Sequence, residues 1–348
     1  MNVSIPGLQS AGLSLLHHKD APTRRVLATV VRRPSATLLA VAIGAGLALT
    51  IASPARAQQV TFMTGPQGGS WIPLGGALKG LWEQAVPELK IQMTPGAGIS
   101  NVRGVDSGKA QIGFGNSITT VDGVKGNPPY PAATKNVCQV ANLYPQYFQV
   151  VARADAGINS LADLKGKTGV MQSRGNTAEL ITQHILKTQG LSYESLKKAN
   201  FVASYDDAVS MIKDGQAEVF TLGTTAPASA VMNLASARDI RLIGVDAKTL
   251  AAMQQINPGY YLAQIKAGTY AKQDKDVPVI AYATHLIAAC DLPEDTVYKM
   301  TKAMAERAGD LVAVVKAVAG LTAKTMATDI GVPFHKGAMK YYKEVGAL

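Results

Sequence analysis

One stretch constrains this chain more than any other: Val60-Thr61-Phe62-Met63-Thr64-Gly65-Pro66-Gln67-Gly68-Gly69-Ser70-Trp71. A short β-type run enters a glycine-rich turn and leaves it into a helix pattern at residues 72–78. A strand that feeds such a loop and a helix start aims several free backbone N–H groups at one point. Glycines let the backbone take unusual φ values and let a ligand come close. The nest suits a carboxylate or a phosphate. It lacks the Gly-Lys-Ser/Thr ending of a nucleotide loop, so ATP and GTP are not indicated. A tight turn that binds nothing is the competing reading, and the loop alone does not decide between them.

The residues before this stretch belong to something else. Arg24-Arg25 and Arg32-Arg33 precede an apolar run at residues 37–51, and Ala55-Arg56-Ala57 follows it. A positive region, an apolar core and small residues at two spaced positions make an export signal, with cleavage expected after Ala57. An uncleaved anchor is the alternative, and the arginine pairs leave twin-arginine export open. The run is shorter than the roughly 20 residues that cross a bilayer. These 57 residues hold six Lys/Arg and one Asp, so half of the formal charge of +10 is theirs. No basic run with interleaved aromatics follows, and nucleic acid is not implied. Cys138 and Cys290 remain for an oxidising compartment. A disulfide and two buried thiols both stay open, and their spacing fits no metal motif.

From residue 58 the chain alternates short apolar runs with helix patterns, a parallel α/β arrangement with ligands at the strand carboxyl ends. Strands are predicted over 60–63, 91–93 and 110–115, and helices over 74–84 and 100–107. The segment Met93-Thr94-Pro95-Gly96-Ala97-Gly98-Ile99-Ser100-Asn101 repeats the strand–glycine–helix logic. Ser100 is placed at the helix N-cap, with its hydroxyl or the Asn101 amide free to face a ligand instead. An internal echo carries more weight. Ser107-Gly108-Lys109-Ala110-Gln111-Ile112-Gly113-Phe114-Gly115-Asn116-Ser117 resembles Asp214-Gly215-Gln216-Ala217-Glu218-Val219-Phe220-Thr221-Leu222-Gly223-Thr224. Each is a helix stopped by glycine and then a buried strand ending in small or hydroxyl-bearing residues. Two such modules imply two α/β lobes with a crevice between facing strand ends. Met171-Gln172-Ser173-Arg174-Gly175-Asn176-Thr177 opens a third strand–loop–helix unit, where Arg174 could clamp a carboxylate bidentately.

Residues 64–76, 96–114, 142–151, 161–166, 173–180 and 215–227, with Leu161-Ala162-Asp163-Leu164-Lys165-Gly166 among them, resemble in order and spacing the successive motifs of TAXI-family solute-binding proteins of TRAP transporters. The resemblance implies a two-lobed periplasmic-binding-protein type II fold with a central ligand cleft and two hinge crossovers. It implies delivery of a glutamate- or glutamine-like carboxylate to an ion-gradient-driven permease in the membrane. Trp71 stands where Tyr is usual, Gln146 where Glu often follows Leu-Tyr-Pro, and Arg174 and Asn176 depart from a Ser-Gly-Thr loop, so glutamate is not carried over directly. The lobes are expected at 58–149 with 262–348, and at 150–261. On that layout both cysteines share a lobe. The expected lining is Thr64, Gly65, Gly68, Ser70, Trp71, Gly98, Ser100, Asn101, Asn116, Ser117 and Tyr144 on one side, and Ser173, Arg174, Asn176, Thr177, Gly223, Thr224 and Thr225 on the other. No catalytic motif, metal set or cofactor motif accompanies His184, His285 and His335. The chain is expected to act as a periplasmic monomer. An ABC importer's receptor for nitrate, sulfonate or an aromatic acid, or a periplasmic sensor subunit, would share these features.

Overall fold

The computed structural model describes residues 58–348; the export signal read at residues 1–57 lies outside the described residues. The chain begins with β1 (Gln58–Met63), α1 (Trp71–Ala85), β2 (Leu89–Thr94), α2 (Gly98–Asp106), β3 (Ile112–Asn116) and α3 (Ser117–Lys125). β1 pairs in parallel with both β2 and β3. Parallel strands share one carboxyl edge, so each helix that follows a strand starts at that edge. The continuous apolar run in β3 is explained by burial on both faces, since all five of its residues are buried.

Then comes β4 (Cys138–Arg153), at 16 residues the longest strand. A second set of elements follows: β5 (Thr168–Gln172), α4 (Thr177–Thr188), β6 (Lys198–Val202), α5 (Tyr205–Lys213), β7 (Val219–Thr224), α6 (Ser229–Ala237), β8 (Ile240–Ile243), α7 (Ala247–Ile256), β9 (Tyr261–Ile265) and β10 (Val277–Ala288). The strand order is β2-β1-β3-β10-β4-β7-β5-β6, with β8 beside β4 and β9 beside β10. This is a mixed α/β fold. Its first half-sheet is β2-β1-β3 and its second is β7-β5-β6.

β4 and β10 are antiparallel partners that run through both halves. β10 pairs with β3 through Thr284–Ala288 and with β9 through Val277–Ala281. β4 meets β7 through Tyr147–Ala152. The packing follows suit. Tyr144 and Leu286 belong with Phe62, Trp82 and Phe114. Phe148, Ile280 and Tyr282 pack around Ile181 and Tyr260, while Ile265 and Val279 join Phe220. Along β10 the packing thus changes from the second half to the first.

The tail carries α8 (Glu294–Glu306), α9 (Ala308–Val314), α10 (Ala323–Met326) and α11 (Lys336–Glu344). It folds back on the first half. Trp82 Nε1 donates to the Met300 carbonyl at 3.2 Å, and the Tyr342 hydroxyl to the Val140 carbonyl at 2.7 Å. Cys138 and Cys290 are joined by a disulfide, at the start of β4 and just beyond the end of β10.

His285 sits in β10 with no exposed surface. Its Nε2 is 2.7 Å from Thr120 Oγ1, and burial pulls its pKa down to about 3. Burial likewise brings His184 to about 4. Unfolded, both titrate near about 6.5. The native state thus binds fewer protons than the unfolded state below that pH, and stability must fall as pH drops. Stability from these two groups is full above about 6.5 and declines by up to about 1.4 kcal/mol per pH unit per histidine on the way to 4. Urea midpoints should be level between pH 7 and 8 and fall steadily between 6 and 4.5. A level profile across that lower range would contradict the burial of two neutral imidazoles.

Candidate functional site

Four helices begin at one place. The N-cap residues of α1, α2, α3 and α4 are Ser70, Ala97, Asn116 and Asn176, and all four line a single small cavity of about 20 Å³. The arrangement follows from the sheet. β1, β2, β3 and β5 each end at the cleft edge; β1, β2 and β5 lead through a short loop into their helices, and β3 runs directly into α3. Side-chain caps are missing at α1, α2 and α3, whereas Asn176 Oδ1 accepts from the Ala178 N–H at 2.8 Å. Each helix start carries roughly half a positive charge, so the cavity is electropositive without a cation. The end of β7 closes it from the second half with Gly223 and Thr224. Gln146, Thr177, Tyr205 and Tyr282 complete its polar wall. Among the described residues, no Asp, Glu, Lys or Arg lines it.

The lining is tied together across the cleft. Ser70 Oγ lies 3.1 Å from the Tyr144 hydroxyl and 3.2 Å from Thr224 Oγ1. Asn116 Nδ2 donates to Gln146 Oε1 at 3.2 Å, and the Thr119 and Thr177 hydroxyls are 3.2 Å apart. The Tyr205 phenol donates to the Gly223 carbonyl at 2.9 Å. Farther out the halves touch directly. The Tyr205 N–H donates to the Gln67 carbonyl at 3.0 Å, the Ser229 hydroxyl to the Gly68 carbonyl at 3.2 Å, and the Ser100 N–H to the Gly175 carbonyl at 3.1 Å. The loops have closed over the cavity.

Trp71 is 5% exposed and stacks on Phe114, with ring centroids 5.3 Å apart. Its ring packs in the core while its Nε1 stays buried with no hydrogen-bond partner among the described residues. The indole is near enough to influence the Tyr144 phenol but lacks the geometry of a bond to it. Burial pushes Tyr144 up to about 12 and raises Tyr205 and Tyr282 further. All three phenols therefore stay protonated near neutral pH and can donate.

Of the residues expected in the lining, the cavity gathers Ser70, Trp71, Gly98, Asn116, Asn176, Thr177, Gly223 and Thr224. Tyr144 stands one bond behind, through Ser70. The others lie elsewhere. Thr64 Oγ1 donates to the Thr94 carbonyl, and Gly65 packs against Trp71. Gly68 and Thr225 border a separate outer groove beside Met232 and Val314. Ser117 Oγ accepts from the Ala283 N–H. Ser100 is not the N-cap of α2; the helix starts at Gly98, and Ser100 Oγ donates to the Gly175 carbonyl. Asn101 is fully buried, and its Nδ2 donates to the Thr64 and Phe114 carbonyls while its Oδ1 accepts from the Ala97 N–H. It ties β1 to β3 and has nothing left for a ligand.

Arg174, expected as a clamp, does not line this cavity. Its side chain is 73% exposed, lies 4.0 Å from Glu179 and sits over the Phe201 ring, and with Ser173 it borders an outer groove. Arg174→Ala should change affinity for any bound acid by less than about 5-fold, since an exposed ion pair is worth at most about 1 kcal/mol. A titration of the variant checks this, and a loss of tenfold or more would restore the clamp. Sequence reasoning missed Gln146, Tyr205 and Tyr282 as lining. Gln146 had a signal, as an amide where an acid is usual. The two tyrosines arrive from α5 and β10 with no local mark.

The three histidines stand outside the lining. His184 Nδ1 pairs with the Tyr260 hydroxyl, His285 with Thr120, and His335 caps α11. Among the described residues no group of three His, Cys, Asp or Glu could hold a metal ion, and no helix is long and apolar enough to cross a membrane.

A family model described as the NMT1-like family matches residues 62–346. Among solved structures, a protein from Bordetella bronchiseptica RB50 is 21% identical, with 84% of this chain and 90% of that one covered and a TM-score of 0.50. The methylphosphonate complex of PhnD1 from Prochlorococcus marinus (MIT 9301) is 13% identical over 84% and 97% of the two chains, with a TM-score of 0.49. The alkanesulfonate-binding protein SsuA from Xanthomonas axonopodis pv. citri, bound to MOPS, is 14% identical over 83% and 84%, with a TM-score of 0.44. The Bordetella likeness shows a shared fold.

Proposed function

Since this chain belongs to the NMT1-like family, we propose that it is an extracytoplasmic solute-binding protein that closes over a small organic acid or amino acid and passes it to a membrane permease. One observation carries the reading: four helix starts converge on a buried cavity that has no charged side chain. Oriented N–H dipoles hold an anion without a salt bridge. A carboxylate taken out of water needs such donors from several sides. Here they come from the first half through α1, α2 and α3 and from the second through α4. The ligand stabilises the closed form because only that form presents both sets.

We place the lobe crossings near Pro145 in β4 and Thr284 in β10, where the packing changes sides. The export signal delivers the chain to the periplasm. The order of sequence blocks supports a TRAP permease driven by an ion gradient as the recipient. Among the described residues no histidine or carboxylate lines the cavity, which supports binding as the role of the site. The test is a thermal-shift series on the purified protein with carboxylates, amino acids and sulfonates. At a hundred times Kd, a true ligand adds about 2.7 kcal/mol, or at least about 5 °C for a chain of this size. If no compound raises the melting point, the reading falls.

A further inference from the structure

We infer that the cavity selects a singly charged oxyanion with no ammonium group, a hydroxy or oxo monocarboxylate or a sulfonate, over the amino acid of the same size. This rests on the solute-binding reading above and narrows it. The lining carries no carboxylate among the described residues, and of its amide and carbonyl oxygens outside hydroxyl groups Asn116 Oδ1 has no partner. Three of its oxygens are already engaged inside the protein: Gln146 Oε1 accepts from Asn116, Asn176 Oδ1 from the Ala178 N–H, and the Gly223 carbonyl from Tyr205. On the donor side stand the three helix starts without side-chain caps; Trp71 also lines the cavity, and its N–H is buried on the Tyr144 side with no hydrogen-bond partner among the described residues. That N–H is an independent mark of a missing acceptor, since a buried donor is rarely left unpaired.

An ammonium group brought into this space loses its hydration and meets positive helix ends. The nearest carboxylates give it no help. Glu179 lies in the first turn of α4 outside the lining, held by Gln183 and Tyr193, and Asp206 lies in the first turn of α5 beside Gly68, also outside. A second negative charge is equally unsupported, because Arg174 faces outward.

The deciding experiment is equilibrium dialysis of the purified protein against an equimolar mixture. It contains the standard amino acids, their 2-hydroxy and 2-oxo counterparts, and ethanesulfonate with taurine. Mass spectrometry then identifies what is retained. The expected result is a hydroxy acid, an oxo acid or ethanesulfonate, bound at least 100-fold more tightly than its amino counterpart. Preferential retention of an amino acid or taurine overturns the selectivity and leaves the solute-binding reading standing. Retention of nothing overturns both. Gln146→Glu places a carboxylate in the wall and should weaken the retained acid at least 100-fold; unchanged affinity in the folded variant would also overturn the inference.

Discussion

Gly98→Ala should abolish tight ligand binding while leaving the protein folded. A Cβ at Gly98 would stand 2.1 Å from Thr177 Oγ1 and 2.5 Å from Asn116 Oδ1. Thr177 starts α4 and Asn116 caps α3, so the methyl falls in the gap where helix starts from the two halves meet. Both atoms are held: the Thr177 hydroxyl contacts Thr119, and the Asn116 amide bonds to Gln146. Neither can retreat without breaking the cavity wall. Gly98 is not among the glycines with positive φ, so its backbone accepts alanine, and alanine favours the helix that begins there. The overlap with Thr177 therefore falls on the closed form alone, while that with Asn116, inside the first half, is met in both forms. Reversing a closure equilibrium from 99:1 to 1:99 takes about 5.5 kcal/mol, which overlap of this kind can supply. Affinity should fall at least 100-fold, the radius of gyration with ligand should stay at its ligand-free value, and the ligand-free melting point should move by no more than a few degrees. Ligand binding within 10-fold of the parent would show that the halves do not need to meet at Gly98.

Reducing the Cys138–Cys290 bridge should lower the melting point by about 10 °C. The bond closes a loop with a sequence separation of 152, and a loop of that length is worth about 5 kcal/mol on the chain-entropy model. In a chain of this size each kcal/mol moves the midpoint by about 2 °C. The bridge joins strand ends remote from the cavity, next to the Ala288–Cys138 pair of the β4/β10 ladder. Affinity in the reduced protein at 25 °C should therefore stay within about 3-fold. A double Cys→Ser variant gives the same comparison without reductant. A midpoint shift below about 2 °C would mean that the unfolded chain is already constrained by other contacts.

Much of this architecture is readable from local punctuation. Glycine between an apolar run and a helix pattern marks β1–α1, β2–α2 and β5–α4, because the physics of a helix start is local. Strand ends Asn116 and Thr224 were readable for the same reason, through the echo of two glycine-stopped helices. Errors arise where the deciding partner is distant in sequence. Ser100 has the chemistry of an N-cap, but Asn101 reaches back to the Ala97 N–H and the helix starts two residues sooner than Ser100. Arg174 looks the same in a sequence whether it points inward or outward; Glu179 and Phe201 hold it outside. His285 interrupts the apolar run of β10, and only burial against Thr120 makes that histidine a strand residue. Tyr205 and Tyr282 come to the cavity through tertiary closure, which leaves no periodic trace.

The two long strands carry a further consequence. β4 and β10 bond to each other across the seam between the half-sheets, so the parts cannot slide past one another; they can only twist about a shared ribbon. Its register is irregular between Thr284 and His285 and again between Leu286 and Ile287. Such interruptions already bend a strand, so torsion costs least there. Every other relative displacement is resisted by a backbone ladder. The four helix starts are thus returned to the same meeting point on each swing by the chain's own continuity, without needing a fitted interface to guide them home.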